Sequence, residues 1–89
     1  MNMQISVSPN PFTHLVHIDI QGESKNDNHC VIRFIDQKGK ILRMLGISLE
    51  PGSNKIDIDK LEDLPAGAYY LDIKNSEGKD IYSTRLMKE

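Results

Sequence analysis

Apolar and polar residues alternate with a period of two through most of this chain. The alternation is clean in QISVS (4–8), HLVHIDIQ (14–21), CVIRFID (30–36), NKIDIDK (54–60) and AYYLDIK (68–74). Successive side chains of a strand point to opposite faces, so each segment reads as a half-buried β-strand. KILRMLG (40–46) and DIYSTRLM (80–87) alternate less regularly, but their β-branched and aromatic content between turn residues assigns them to strands as well. The connections GESKNDN (22–28), DQKG (36–39), EPGS (50–53), LEDLPAG (61–67) and NSEGK (75–79) carry Gly, Pro, Asn or Asp where the backbone must reverse. Only LEDLPAG admits a helical turn, with Leu61 and Leu64 at helical spacing before Pro65; no segment holds a full helix.

Seven short strands joined by turns predict an all-β domain, a seven-stranded antiparallel sandwich of the immunoglobulin or fibronectin kind, with a small barrel as the alternative. Shared parity along the strands places Val16, Ile18, Ile20, Ile32, Phe34, Ile56, Ile58, Tyr69, Leu71 and Ile73 in the core. Their neighbours His17, Asp19, Arg33, Asp57, Asp59 and Asp72 are then expected to face water. Tyr69 follows the corner LPAG at the start of the sixth strand. There, sandwiches of this type often bury a tyrosine whose hydroxyl bonds back to upstream backbone. Leu71 stands where an antibody domain would carry cysteine, so apolar packing replaces a disulfide. Gly67 is expected to hold a backbone geometry that a side chain would strain. Near the N-terminus, SPNPF (8–12) sets two prolines around one asparagine, which rules out helix or central strand and makes a stiff corner.

The 89 residues suffice for one domain with little surplus stability. Eleven basic and 13 acidic residues, net charge −2, form no long run, and no nucleic-acid footprint results. The single cysteine, Cys30, excludes an intrachain disulfide. No stretch has the length of an apolar membrane span, so no direct membrane insertion is expected, and MNMQISVSPNP lacks the character of a signal peptide. His14 and His17, three apart on a strand, point to opposite faces, and adjacent His29 and Cys30 do the same. Loop histidines and a buried thiol are therefore preferred to a metal site. Asp57 and Asp59 share a face and, with Asp72 or Glu62, would form the only calcium candidate; a solvated strand face is the preferred reading. No nucleophile elbow, phosphate loop or metalloprotease helix occurs, and no catalytic residue, metal or cofactor is expected. Sugar platforms need outward aromatic rings, and only Tyr70 and Tyr82 are candidates.

Taken together, SPNPF at the first corner, DQKGK at the hairpin of strands three and four, LPAGAYYLDI into strand six and the ending STRLMK resemble one family. It is similar to the type A C-terminal sorting domains of the type IX secretion system, over essentially the whole chain. By motif position, Pro9, Asn10 and Pro11 match the opening corner, Asp36 and Gly39 the hairpin, and Leu64, Gly67 and Tyr69 the strand-six signature. Arg85, Leu86, Met87 and Lys88 match the terminal segment on which family export depends, whereas the closing Glu89 departs from the more usual basic or apolar ending.

The resemblance implies a domain at the end of a secreted cargo protein, 1–3 being linker or expression remnant and 4–89 the sorting domain. It further implies transit through the periplasm, recognition by the type IX machinery and delivery to the cell surface or medium, where a sortase-like protease commonly removes the domain. The alternative is a fibronectin-like accessory or carbohydrate-binding adhesion module of an extracellular protein. The terminal segment is expected to fray at the end of an edge-like strand and to offer a partner unpaired backbone, with Leu86 as apolar anchor and Arg85 and Lys88 as charges.

Overall fold

The structure, a computed structural model, describes residues 3–22 and 29–89; the GESKNDN connection lies, from residue 23 onward, outside the described residues. The described residues form seven strands and no helix: β1 (Met3–Ser8), β2 (Val16–Gly22), β3 (His29–Ile35), β4 (Ile41–Ser48), β5 (Gly52–Ile58), β6 (Gly67–Asn75) and β7 (Asp80–Lys88). They pair antiparallel in two sheets, β1-β2-β5 and β4-β3-β6-β7. The two sheets remain separate and enclose one hydrophobic cluster, so the barrel alternative falls. LEDLPAG makes the single turn that its leucine spacing admits, Leu64 N donating to Leu61 O at 3.1 Å.

Register converts the alternation into a core. Val7 stands opposite Ile18 and Ile18 opposite Ile56 in one sheet, while Ile32 faces Ile73, Phe34 faces Leu71 and Tyr69 faces Leu86 in the other. Of the expected core residues, all are buried except Ile56, which packs against the core only partly covered. Its strand, β5, lies at the edge of the smaller sheet. Six further side chains are buried that alternation did not assign to the core: Phe12, Leu49 and Leu61, which lie in connections, and Cys30, Ala68 and Leu86, which sit near strand ends.

Three of the residues expected to face water are half-buried: Asp19, which accepts from the Ser53 hydroxyl at 3.0 Å, Arg33 and Asp72. Arg33 on β3 and Asp72 on β6 are cross-strand partners and form a two-pronged ion pair, Nε to Oδ1 at 2.8 Å and the terminal amine to Oδ2 at 2.6 Å. Only 27% and 14% of their side chains remain accessible. The planar guanidinium matches the carboxylate geometry, and these hydrogen bonds hold Arg33 protonated even more firmly than usual. His17, Asp57 and Asp59 are exposed, as expected.

The hairpins β3–β4 and β6–β7 use one device twice. In Asp36-Gln37-Lys38-Gly39-Lys40 the Asp36 carboxylate accepts from Lys38 N and Lys40 N, both at 2.9 Å. In Asn75-Ser76-Glu77-Gly78-Lys79 the Asn75 side-chain oxygen accepts from Glu77 N at 3.0 Å and Lys79 N at 2.9 Å. Gly39 and Gly78 close both turns at φ 85° and 80°, the left-handed region that glycine enters without strain.

At the centre of the core Phe12 lies edge-on to both Phe34 and Tyr69, with ring centroids 5.9 Å from each, and Phe34 stacks on Tyr69 at 5.4 Å. Phe12 thus anchors a connecting segment as firmly as any strand residue. Phe12→Ala should cost about 3–5 kcal/mol, the range for emptying a buried aromatic site. Urea denaturation measures it; a loss below about 1 kcal/mol would mean that the ring contributes no core packing.

Candidate functional site

The stiff corner and the terminal segment, 75 residues apart in sequence, meet in space. Pro9 and Pro11 follow cis peptide bonds and, lacking N–H groups, leave the polar work of the corner to Asn10 and Phe12. The Asn10 amide donates to Arg85 O at 3.2 Å and its side-chain oxygen accepts from Met87 N at 2.9 Å. Phe12 N donates to Met87 O at 2.8 Å, and Glu89 N donates to Phe12 O at 3.0 Å. Phe12 and Lys88 thereby form a single parallel bridge. One edge of β7 pairs with β6, and over residues 85–89 its other edge is closed by the corner.

This arrangement corrects the expectation of a fraying, open strand end. β7 continues in register to Lys88 opposite Gly67. Leu86 is 1% exposed and belongs to the core, so it is no surface anchor; Lys88 is only 9% exposed, its amine donating to the Glu89 carbonyl at 2.9 Å. The alternation leaves Arg85 and Met87 outward and exposed. The physical reason is a pairing partner outside the strand pattern, supplied by a segment whose prolines made it look purely like a turn.

The strand-six signature is built around the same end. Tyr69 is buried and its hydroxyl donates to Pro65 O at 2.6 Å, closing the corner as expected. Gly67 has φ 142°, and a Cβ there would lie 2.8 Å from the Gln37 amide nitrogen, which accounts for glycine at this position. Leu64 is partly buried against the core. Asp36 and Gly39 shape the β3–β4 hairpin, as described above.

The model of the secretion-system C-terminal sorting domain family matches residues 6–89. The chain belongs to this family. Its members are C-terminal sorting signals for type IX secretion, which implies interaction with that secretion system, an upstream cargo domain and passage toward the cell surface or extracellular space. A search of curated proteins finds no match to this chain. In this sorting domain the segments that resemble family motifs are neighbours in space: the corner closes on the terminal segment, and Phe12 packs on Tyr69.

The histidines of the sorting domain are not brought together. His14 contacts Thr13, His17 pairs with Asp57 at 2.7 Å, and His29 lies 3.2 Å from the Ser48 hydroxyl. The calcium candidate dissolves as well, because Asp72 is held by Arg33 on the other sheet and Asp59 falls beyond the end of β5. Among the described residues no cluster of three or more His, Cys, Asp or Glu side chains could hold a metal. Tyr82, a candidate outward ring, packs inward against the core, while Tyr70 does face outward.

Asn10→Ala removes two hydrogen bonds to the terminal strand and should cost about 1 kcal/mol, a modest figure because both groups can turn to water. An unchanged denaturation midpoint would show that the clamp is not formed. Tyr69→Phe should cost about 1 kcal/mol as well. Burial, then the nearby Asp36 carboxylate, raises the Tyr69 pKa. The folded state therefore retains the phenol proton that the unfolded chain gives up from about pH 10, and stability falls as pH rises through the folded value. A stability–pH titration should show this alkaline loss in the parent and not in Tyr69→Phe; identical alkaline limbs would contradict it.

Proposed function

We propose that residues 4–89, with β1 beginning one residue earlier at Met3, act as the sorting unit, and that the machinery reads the terminal segment Arg85, Leu86, Met87 and Lys88 by its side chains. The observation that carries the reading is the alternation on a clamped strand: Leu86 and Lys88 turn inward while Arg85 and Met87 are outward. With its edge already paired to Asn10 and Phe12, residues 85–89 have no free backbone for strand addition unless the corner leaves. Leu86 and Lys88 fix the segment in the fold; Arg85 and Met87 are what a partner touches.

On the same reading the domain is an immunoglobulin/fibronectin-like sandwich, which the strand order β1-β2-β5 and β4-β3-β6-β7 supports, and it has no catalytic role. It passes the periplasm attached to its cargo, and a sortase-like protease removes it at the cell surface. The corner Pro9-Asn10-Pro11 then has two tasks, ending β1 and holding the segment that is read.

The test is a reporter fused ahead of this domain in a host with a type IX system. Truncation after Thr84 is not informative, since it removes core residue Leu86. Arg85→Ala with Met87→Ala should keep the denaturation midpoint near the parent and reduce the surface-delivered reporter about tenfold, the effect of losing a central contact pair. Delivery equal to the parent would remove the recognition role from these side chains.

A further inference from the structure

The four large hydrophobic side chains that are exposed among the described residues are Ile41 (39%), Met44 (59%), Tyr70 (43%) and Met87 (37%). Scattered apolar side chains are ordinary on a protein surface. These four share one face, the outer side of the sheet β4-β3-β6-β7. Register sets them in rows: Ile41, Ile35, Tyr70 and Arg85 in one, Met44, Arg33, Asp72 and Ser83 in the next, with Met87 one step beyond Arg85 on β7. The outer side of the other sheet has the opposite character. Its rows are Gln4, Gln21 and Ser53; Ser6, Asp19 and Lys55; and Ser8, His17 and Asp57, polar at every position.

The charges on the apolar face cancel internally with one exception. Arg33 is paired with Asp72 and Lys74 with Asp80, whereas the Arg85 guanidinium has no ion-pair partner among the described residues. An apolar face with one unmatched cation fits a complementary surface of aliphatic side chains around a carboxylate.

Resting on the recognition reading above, we propose that the docking site is this whole sheet face and not the terminal segment alone. Its occupant is a protein component of the secretion machinery that presents an apolar surface bearing a carboxylate to Arg85. Tyr70 and Met87 form the centre beside Arg85, and Ile41 and Met44 extend the contact across to β4. Three inter-strand spacings separate β4 from β7, about 14 Å, so substitutions on β4 cannot act by touching the terminal segment.

The experiment uses the same reporter fusion. Met44→Lys and Tyr70→Lys, both at exposed positions and each checked for an unchanged denaturation midpoint, should each lower surface delivery about tenfold. Lys55→Glu and Gln21→Lys on the polar face should deliver like the parent. Arg85→Glu should lose more than Arg85→Ala, because reversal sets two carboxylates against each other. Deletion of the whole domain should abolish delivery.

Parent-like delivery by Met44→Lys and Tyr70→Lys, with the Arg85–Met87 double variant impaired, would overturn the face while leaving the terminal-segment reading intact. Parent-like delivery by the deletion would overturn both. Sedimentation of the purified domain should show a monomer. A dimer that Met44→Lys dissociates would assign the face to a second copy and overturn the proposed occupant.

Discussion

The pairing of residues 10–12 with residues 85–89 is the constraint on which the rest of the molecule depends. Four hydrogen bonds join a proline corner to the last strand, and they close an edge that would otherwise expose a ladder of unpaired backbone groups. Because Phe12 is held there by both its N–H and its carbonyl, its ring is delivered to the centre of the core against Phe34 and Tyr69. Because β7 is held in register to Lys88, Leu86 is delivered to the core opposite Tyr69. The pairing thus joins two segments that each supply one of the largest buried side chains, Phe12 and Leu86.

The same constraint shapes what the sorting domain can show to a partner. Where the corner closes the outer edge of β7, at residues 85–89, the strand presents chiefly its alternate side chains, so on the proposed reading Arg85 and Met87 are recognised as chemistry on a sheet face. The two outer faces of the domain differ accordingly, one polar in every cross-strand row and the other carrying the exposed apolar residues. A domain of this size has little stability in reserve. On the docking proposal, the exposed apolar side chains of the larger sheet serve a partner.

Much of this was legible in the alternation. The seven strands, the core positions from Val16 to Ile73, and the tyrosine closing the corner after Leu64-Pro65 all follow from parity and turn chemistry, because side-chain direction in a strand is set locally. Ile56 misled, since parity tells which face a residue takes and not whether that face is fully covered at a sheet edge. Phe12 and Leu61 were missed because they lie in connections, where no period exists to read. The terminal segment misled most. Edge position and chain end argue for fraying, and only the tertiary partner at Asn10, invisible to any local pattern, reverses that. Asn between two prolines, a side chain able to donate and accept on a backbone too stiff to move, was the one available signal. Arg33 and Asp72 likewise look like solvated positions until β3 and β6 are placed side by side.

Native-state hydrogen exchange tests the central claim most directly, through the amides of Phe12, Met87 and Glu89. Each is a donor in the clamp, and each lies where a free chain end or an exposed turn would exchange without protection. The account predicts that Phe12 and Met87 exchange with protection close to that of Ile32 and Leu71 in the core, with Glu89 only slightly faster. Rapid, unprotected exchange at Met87 and Glu89 while Ile32 and Leu71 stay protected would mean that the terminal strand frays, and the account would be wrong at its foundation.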